Sequence, residues 1–137
     1  MNANPAFAAS VVPALAASER HAAARKDITS LDTFDVYCVS LQACRACTAI
    51  APSLNAILRD QLLRASSSVV LNVAEGFGSS SRGVKRRHYE IARGSATESI
   101  AVLDLAAALG SGEALDDARM LFTRVAMMLA KLEARFR

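Results

Sequence analysis

From Thr33 onward, apolar residues return at intervals of three and four, the spacing of one face of an α-helix. Four such stretches are separated by short breaks. The first covers about 33–50, with Phe34, Tyr37, Leu41 and Cys44 beside Val36, Ser40, Ala43, Cys47 and Ile50, and Pro52 ends it. Thr29, Ser30, Asp32 and Thr33 are its candidate N-caps. The second covers about 55–77, with apolar rows Leu62, Val69, Val73 and Leu63, Val70, Ala74, Phe77. Its opposite stripe is polar: Gln61, Arg64, Ser68, Asn72, Glu75. Gly76 and Gly78 are the expected terminators.

The third helix is predicted over 83–109. One row reads Val84, His88, Ile91, Ser95, Glu98, Val102, Leu105, Leu109; the row beside it reads Tyr89, Ala92, Ala96, Ser99, Leu103, Ala106. Both rows are expected to face inward, and the outer stripe is Arg86, Glu90, Arg93, Thr97, Ala101 and Asp104. Glu98 would then be buried and hydrogen-bonded, with Arg64 or Asn72 as partner, and Glu98→Ala would cost about 1–3 kcal/mol. The fourth, over 113–136, alternates by three and four through Leu115, Ala118, Phe122, Val125, Leu129, Leu132 and Phe136. Glu113, Asp116 and Asp117 suit its N-terminal end, and Lys131, Arg135 and Arg137 its C-terminal end. Four helices with short connections predict an all-α, up-down-up-down four-helix bundle over 31–137. Residues 1–30 are Ala-rich, uncharged before Glu19 and without a sustained stripe. They read as a mobile or partly helical leader, with helix around Ala14–Lys26.

Composition agrees with this pattern. The chain has 137 residues, enough for one domain, and is 53% hydrophobic but only 5% aromatic, which favours close helix packing over a sheet sandwich. There is no run of 18 apolar residues to span a membrane. The opening residues lack the basic start of a signal peptide and Pro13 interrupts their apolar run, so a cytoplasmic protein is expected. Cys38, Cys44 and Cys47 are odd in number and crowded, which suits buried thiols in a reducing compartment better than a disulfide framework.

Charge is uneven. Net charge is +3, yet Arg82, Lys85, Arg86, Arg87 and Arg93 face only Glu90 between Ser79 and Arg93. Such a belt can meet acidic protein or nucleic acid, although a solvated helix face is the plainer reading. No cofactor is expected, because no phosphate loop, nucleotide fingerprint or nucleophile elbow appears. A di-iron bundle needs Glu-x-x-His on two helices; Lys85 precedes His88 by three and Ser18 precedes His21 by three, so no metal site is expected.

The stretch QLLRASSSVVLNVAEGFG and the later YEIARGSATES resemble the 23S rRNA intervening-sequence proteins, small bacterial four-helix bundles. Gln61, Arg64, Ala65, Ser68, Asn72, Ala74, Glu75, Gly76 and Gly78 carry the first part of the likeness. Ala92, Arg93, Gly94, Ser95 and Glu98 carry the second. The resemblance covers about 34–132 and implies a non-enzymatic homo-oligomer, a pentamer. It also implies kinship with the basic accessory protein of diversity-generating retroelements, which partners a reverse transcriptase and nucleic acid. Two functions remain open. One is an RNA or nucleic-acid-associated binding module contacting phosphates through Arg82, Lys85, Arg86 and Arg87. The other is a structural or protein-interaction ring whose cations pair with Glu113, Asp116 and Asp117 of a neighbour. In either, Arg64, Asn72, Glu75, Arg93 and Glu98 form a polar network or a subunit interface.

Overall fold

Pro52 has no N–H to donate, and the chain around it tightens into a 3-10 turn over Ala51–Ser53 before Leu54 becomes extended. That turn separates α1, Asp35–Ile50, from α2, Ala56–Gly78. α3 follows as Arg82–Ala108 and α4 as Leu115–Arg135. This computed structural model describes residues 31–112 and 115–137, and no strand occurs among them. The leader assigned to 1–30, Thr29 and Ser30, and Glu113 lie outside the described residues. A separate 3-10 turn spans Leu31–Thr33; the bundle unit itself is 34–137.

Local chemistry fixes the ends. Asn55 accepts a hydrogen bond from Leu58 N at 3.0 Å, and Ser81 accepts one from Val84 N at 3.4 Å, so α2 and α3 each start on a side-chain cap. Phe34, rather than Asp32 or Thr33, holds the N-cap position of α1. α3 ends in a Schellman turn: Ser111 N donates to Ala106 O and Gly110 N to Ala107 O, with Gly110 at φ +88°. Gly78 is the last residue of α2, but Gly76 lies within the helix and does not end it.

Each helix packs on its sequence neighbours, and α1 also packs on α4, as in a four-helix bundle. Phe122, Leu62, Leu103, Leu129, Val69 and Val73 are among the largest side chains fully enclosed. The α4 stripe faces inward as its spacing predicts, with Leu132 and Phe136 half-buried.

Only one of the two rows of the third helix faces fully inward, and of the first row only Val102 is buried. Tyr89, Ala92, Ala96, Ser99, Leu103 and Ala106 are buried, whereas Val84, Ile91 and Leu105 keep 43%, 40% and 49% of their surface. Glu98 is exposed and makes no hydrogen bond or ion pair among the described residues, so the buried partnership with Arg64 or Asn72 does not exist. Small side chains let α2 and α4 approach this helix closely, and that approach selects the inward row over the other.

Candidate nucleic-acid interface and polar seam

The cap on Ser81 places Arg82, Lys85, Arg86 and Arg87 in the first two turns of α3. Two of these cations are engaged in holding helix ends. Lys85 Nζ donates to Gly76 O at 3.1 Å and Phe77 O at 2.9 Å, closing the C-terminus of α2. Arg82 Nη2 donates to Arg135 O at 2.9 Å, and its guanidinium lies 5.6 Å from the centre of the Phe136 ring. Arg86 pairs with Glu90 one turn on, at 2.9 Å. Arg87 is exposed and unpaired among the described residues. The Arg82–Arg135 contact also brings the last turn of α4 to the belt, adding exposed Arg135 and Arg137 to that end of the bundle. The chain places these residues some fifty positions apart, which hid their convergence.

Tyr89 lies under the belt rather than within it. Its ring sits between Phe34 and Phe136, with centroids at 6.4 and 5.9 Å, and Phe34 in turn contacts Phe77 at 4.9 Å. Burial holds the Tyr89 phenol above its ordinary pKa. This packing explains Gly76: a Cβ there would stand 2.5 Å from Tyr89 Cε1. Gly76 is present for the close approach of a ring.

A polar seam runs along the α2–α3 contact. Ser68 and Ser95 share a hydroxyl hydrogen bond of 2.8 Å. Asn72 Nδ2 donates to Ser68 O at 2.9 Å and to Ser68 Oγ at 3.2 Å. His88 Nδ1 lies 3.0 Å from Asn72 Oδ1 and 3.1 Å from Glu75 Oε2. Both partners are acceptors, which assigns the proton to Nδ1. Asn72 and Glu75 therefore meet His88, a residue the sequence pattern assigns to a core row, and not Arg93 or Glu98. No hydrogen bond joins His88 to either serine, so the base–nucleophile contact of covalent catalysis is missing among the described residues.

Arg93 is engaged across the bundle instead. Its Nε donates to Glu133 Oε1 at 2.6 Å and its Nη2 to Oε2 at 3.2 Å, a bidentate tie between α3 and α4. Glu133 is only 4% exposed. The hydrogen bond and charge of Glu133 raise the Arg93 pKa further. An acid four residues after buried Leu129 was the available signal for such a partner. Arg64 makes only a loose pair with Asp60, 3.7 Å apart and largely in solvent. With Ser68, Leu71, Asn72 and Glu75 it lines a shallow concavity of about 540 Å³ on the outside of α2.

None of the three cysteines is in a disulfide; Cys47 is buried, and desolvation, with a smaller push from Cys44, carries its pKa up to about 12. Among the described residues no three His, Cys, Asp or Glu side chains could hold a metal ion, and no helix is long and apolar enough to cross a membrane.

A family model described as 23S rRNA-intervening sequence protein matches residues 34–131. No curated protein sequence matches the chain. The fold is similar to the crystal structure of a protein with unknown function from the S23 ribosomal protein family of Bacteroides thetaiotaomicron. That likeness has a TM-score of 0.69 at 19% identity and covers 72% of this chain and 97% of the other.

Proposed function

The chain belongs to the 23S rRNA-intervening sequence protein family, and from that premise we propose a non-enzymatic, homo-oligomeric cytoplasmic module that binds RNA by its phosphates. The observation that carries this reading is the cluster of exposed arginines at one end of the bundle, with Arg86 and Arg87 on α3, Arg135 at the end of α4 and Arg137 just beyond it. Tyr89 is enclosed by phenylalanines and offers no face to a base, so the contact is electrostatic and indifferent to sequence. In an oligomer, a pentamer on the family resemblance, the patch repeats, and weak contacts add when one strand spans several copies.

The test is a salt titration against a generic single-stranded RNA. If about four phosphates are neutralised per site, log affinity falls with log salt at a slope of roughly −3. Arg86→Ala with Arg87→Ala should remove most of the binding without unfolding the bundle. Lys85 is kept, because its ammonium closes α2. Absence of binding at low salt, or binding unchanged in the double variant, leaves the second reading, a ring that acts by protein contact alone. Its support is the α2 concavity, where Leu71 keeps 62% of its surface beside Arg64 and Glu75. Light scattering at micromolar concentration tests the oligomer separately, and a monomer mass would sink both readings.

A further inference from the structure

α4 carries a second stripe besides the one that fills the core. Met120, Thr123, Met127, Ala130 and Ala134 follow one another at alternating intervals of three and four, the spacing of a helix–helix seam. All five are exposed, and Met120 and Met127 keep 68% and 61% of their surface. Around the two methionines the surface forms a mostly apolar groove of about 500 Å³, bounded by Arg124 and Lys131. Methionine is unbranched and polarizable, and it suits a surface that takes a helix of variable shape.

The charges select the occupant. Arg124 and Lys131 stand seven residues apart on one flank, exposed and without an ion pair among the described residues. Arg119 on the other flank is held by Asp104. A helix laid along the stripe therefore meets free positive charge. A second copy of α4 related by a two-fold axis, with Met120 facing Met127, would bring the two Arg124 guanidiniums together at its centre. A bilayer surface would prefer Trp, Phe or Leu to Met, Thr and Ala. We propose that the outer face of α4 docks an acidic amphipathic helix of a partner protein. Its apolar residues, at heptad spacing, would cover Met120 and Met127, and its carboxylates would pair with Arg124 and Lys131. From Met120 to Ala134 the stripe is about 21 Å long at 1.5 Å per residue, room for two heptads.

The probe is a fluorescent three-heptad peptide with Leu at positions a and d and Glu at e and g, titrated with the full chain and read by anisotropy. Saturable binding is expected, at roughly tens of micromolar. Met120→Glu with Met127→Glu, and separately Arg124→Glu with Lys131→Glu, should each weaken it at least about tenfold. Thermal midpoints should stay in place, because all four side chains are exposed. The same peptide with Lys at e and g should bind at least about tenfold more weakly. No saturable binding below about 100 μM, or equal binding by either double variant, overturns the proposal. So does a fall in particle mass on Met120→Glu with Met127→Glu, which would assign the stripe to a second copy. Methionine-dependent sedimentation with phosphatidylglycerol vesicles, without peptide binding, would assign it to lipid and overturn the proposal as well.

Discussion

Two rows of α3 differ in a way that hydropathy does not anticipate. The row through Val84, Ile91 and Leu105 lies largely at the surface, with only Val102 buried, whereas the row through Ala92, Ala96 and Ser99 is enclosed. Burial here follows how closely helices can approach. Two backbones separated by alanines gain dispersion contacts along their whole length, and Ser99 enters at little cost because its hydroxyl bonds back to Ser95 O at 2.9 Å.

The strongest way to break this contrast is to enlarge the enclosed row. Ala96→Leu should destabilise the bundle by about 3 kcal/mol, at the upper end of overpacking costs, read as a lower denaturation midpoint with unchanged m-value. Next comes the flank of that row. Arg93→Ala leaves the buried Glu133 carboxylate unpaired and should cost about 2–3 kcal/mol, below a fully enclosed pair because half of the Arg93 side chain reaches solvent. Glu133→Gln with Arg93→Ala should recover part of the loss in a double-mutant cycle.

Gly76→Ala tests the close approach from α2. The helix-propensity gain of about 1 kcal/mol is outweighed by displacement of the Tyr89 ring, for a net loss of about 1–2 kcal/mol by thermal melting. In a Tyr89→Leu background the same change should be neutral or stabilising. On the exposed row, Glu98→Ala should alter the stability of the single bundle by less than about 0.5 kcal/mol.

The smallest effect concerns Asp104, also on the solvent side of α3. The hydrogen bond and charge of Arg119, 2.6 Å away, hold its carboxyl below the ordinary carboxylate range. A depressed pKa gives stability that is present above the unfolded value of about 3.9 and lost as pH falls through the folded value. The difference between wild type and Asp104→Asn should therefore be small at neutral pH and vanish in acid, as a pH series of melts would show.

Much of the fold is legible in the sequence, because three-four periodicity, Pro52 and the Gly110 turn are local signals. The four helices begin and end within about two residues of where that spacing puts them. That most of the Val84, Ile91 and Leu105 row stays at the surface was not legible, since it depends on how far α2 and α4 can close on alanine, a property of the pair. The belt was legible as charge. Its division into end-closing Lys85 and Arg82 and the freer Arg86 and Arg87 depends on carbonyls of Gly76, Phe77 and Arg135 that folding brings close. The same holds for Arg93, whose acid is forty residues away in the chain.

The buried Cys47 thiol gives the molecule an internal clock. With a pKa near 12, only roughly one thiol in 10⁵ is ionised at neutral pH, and a thiol reagent has no path to it while the bundle is closed. Cys38 and Cys44, half-buried, can react through smaller fluctuations. Alkylation of Cys47 therefore waits on wholesale opening of the helices. Its rate against that of the other two, read from a time course of mass spectra, separates local breathing from complete unfolding.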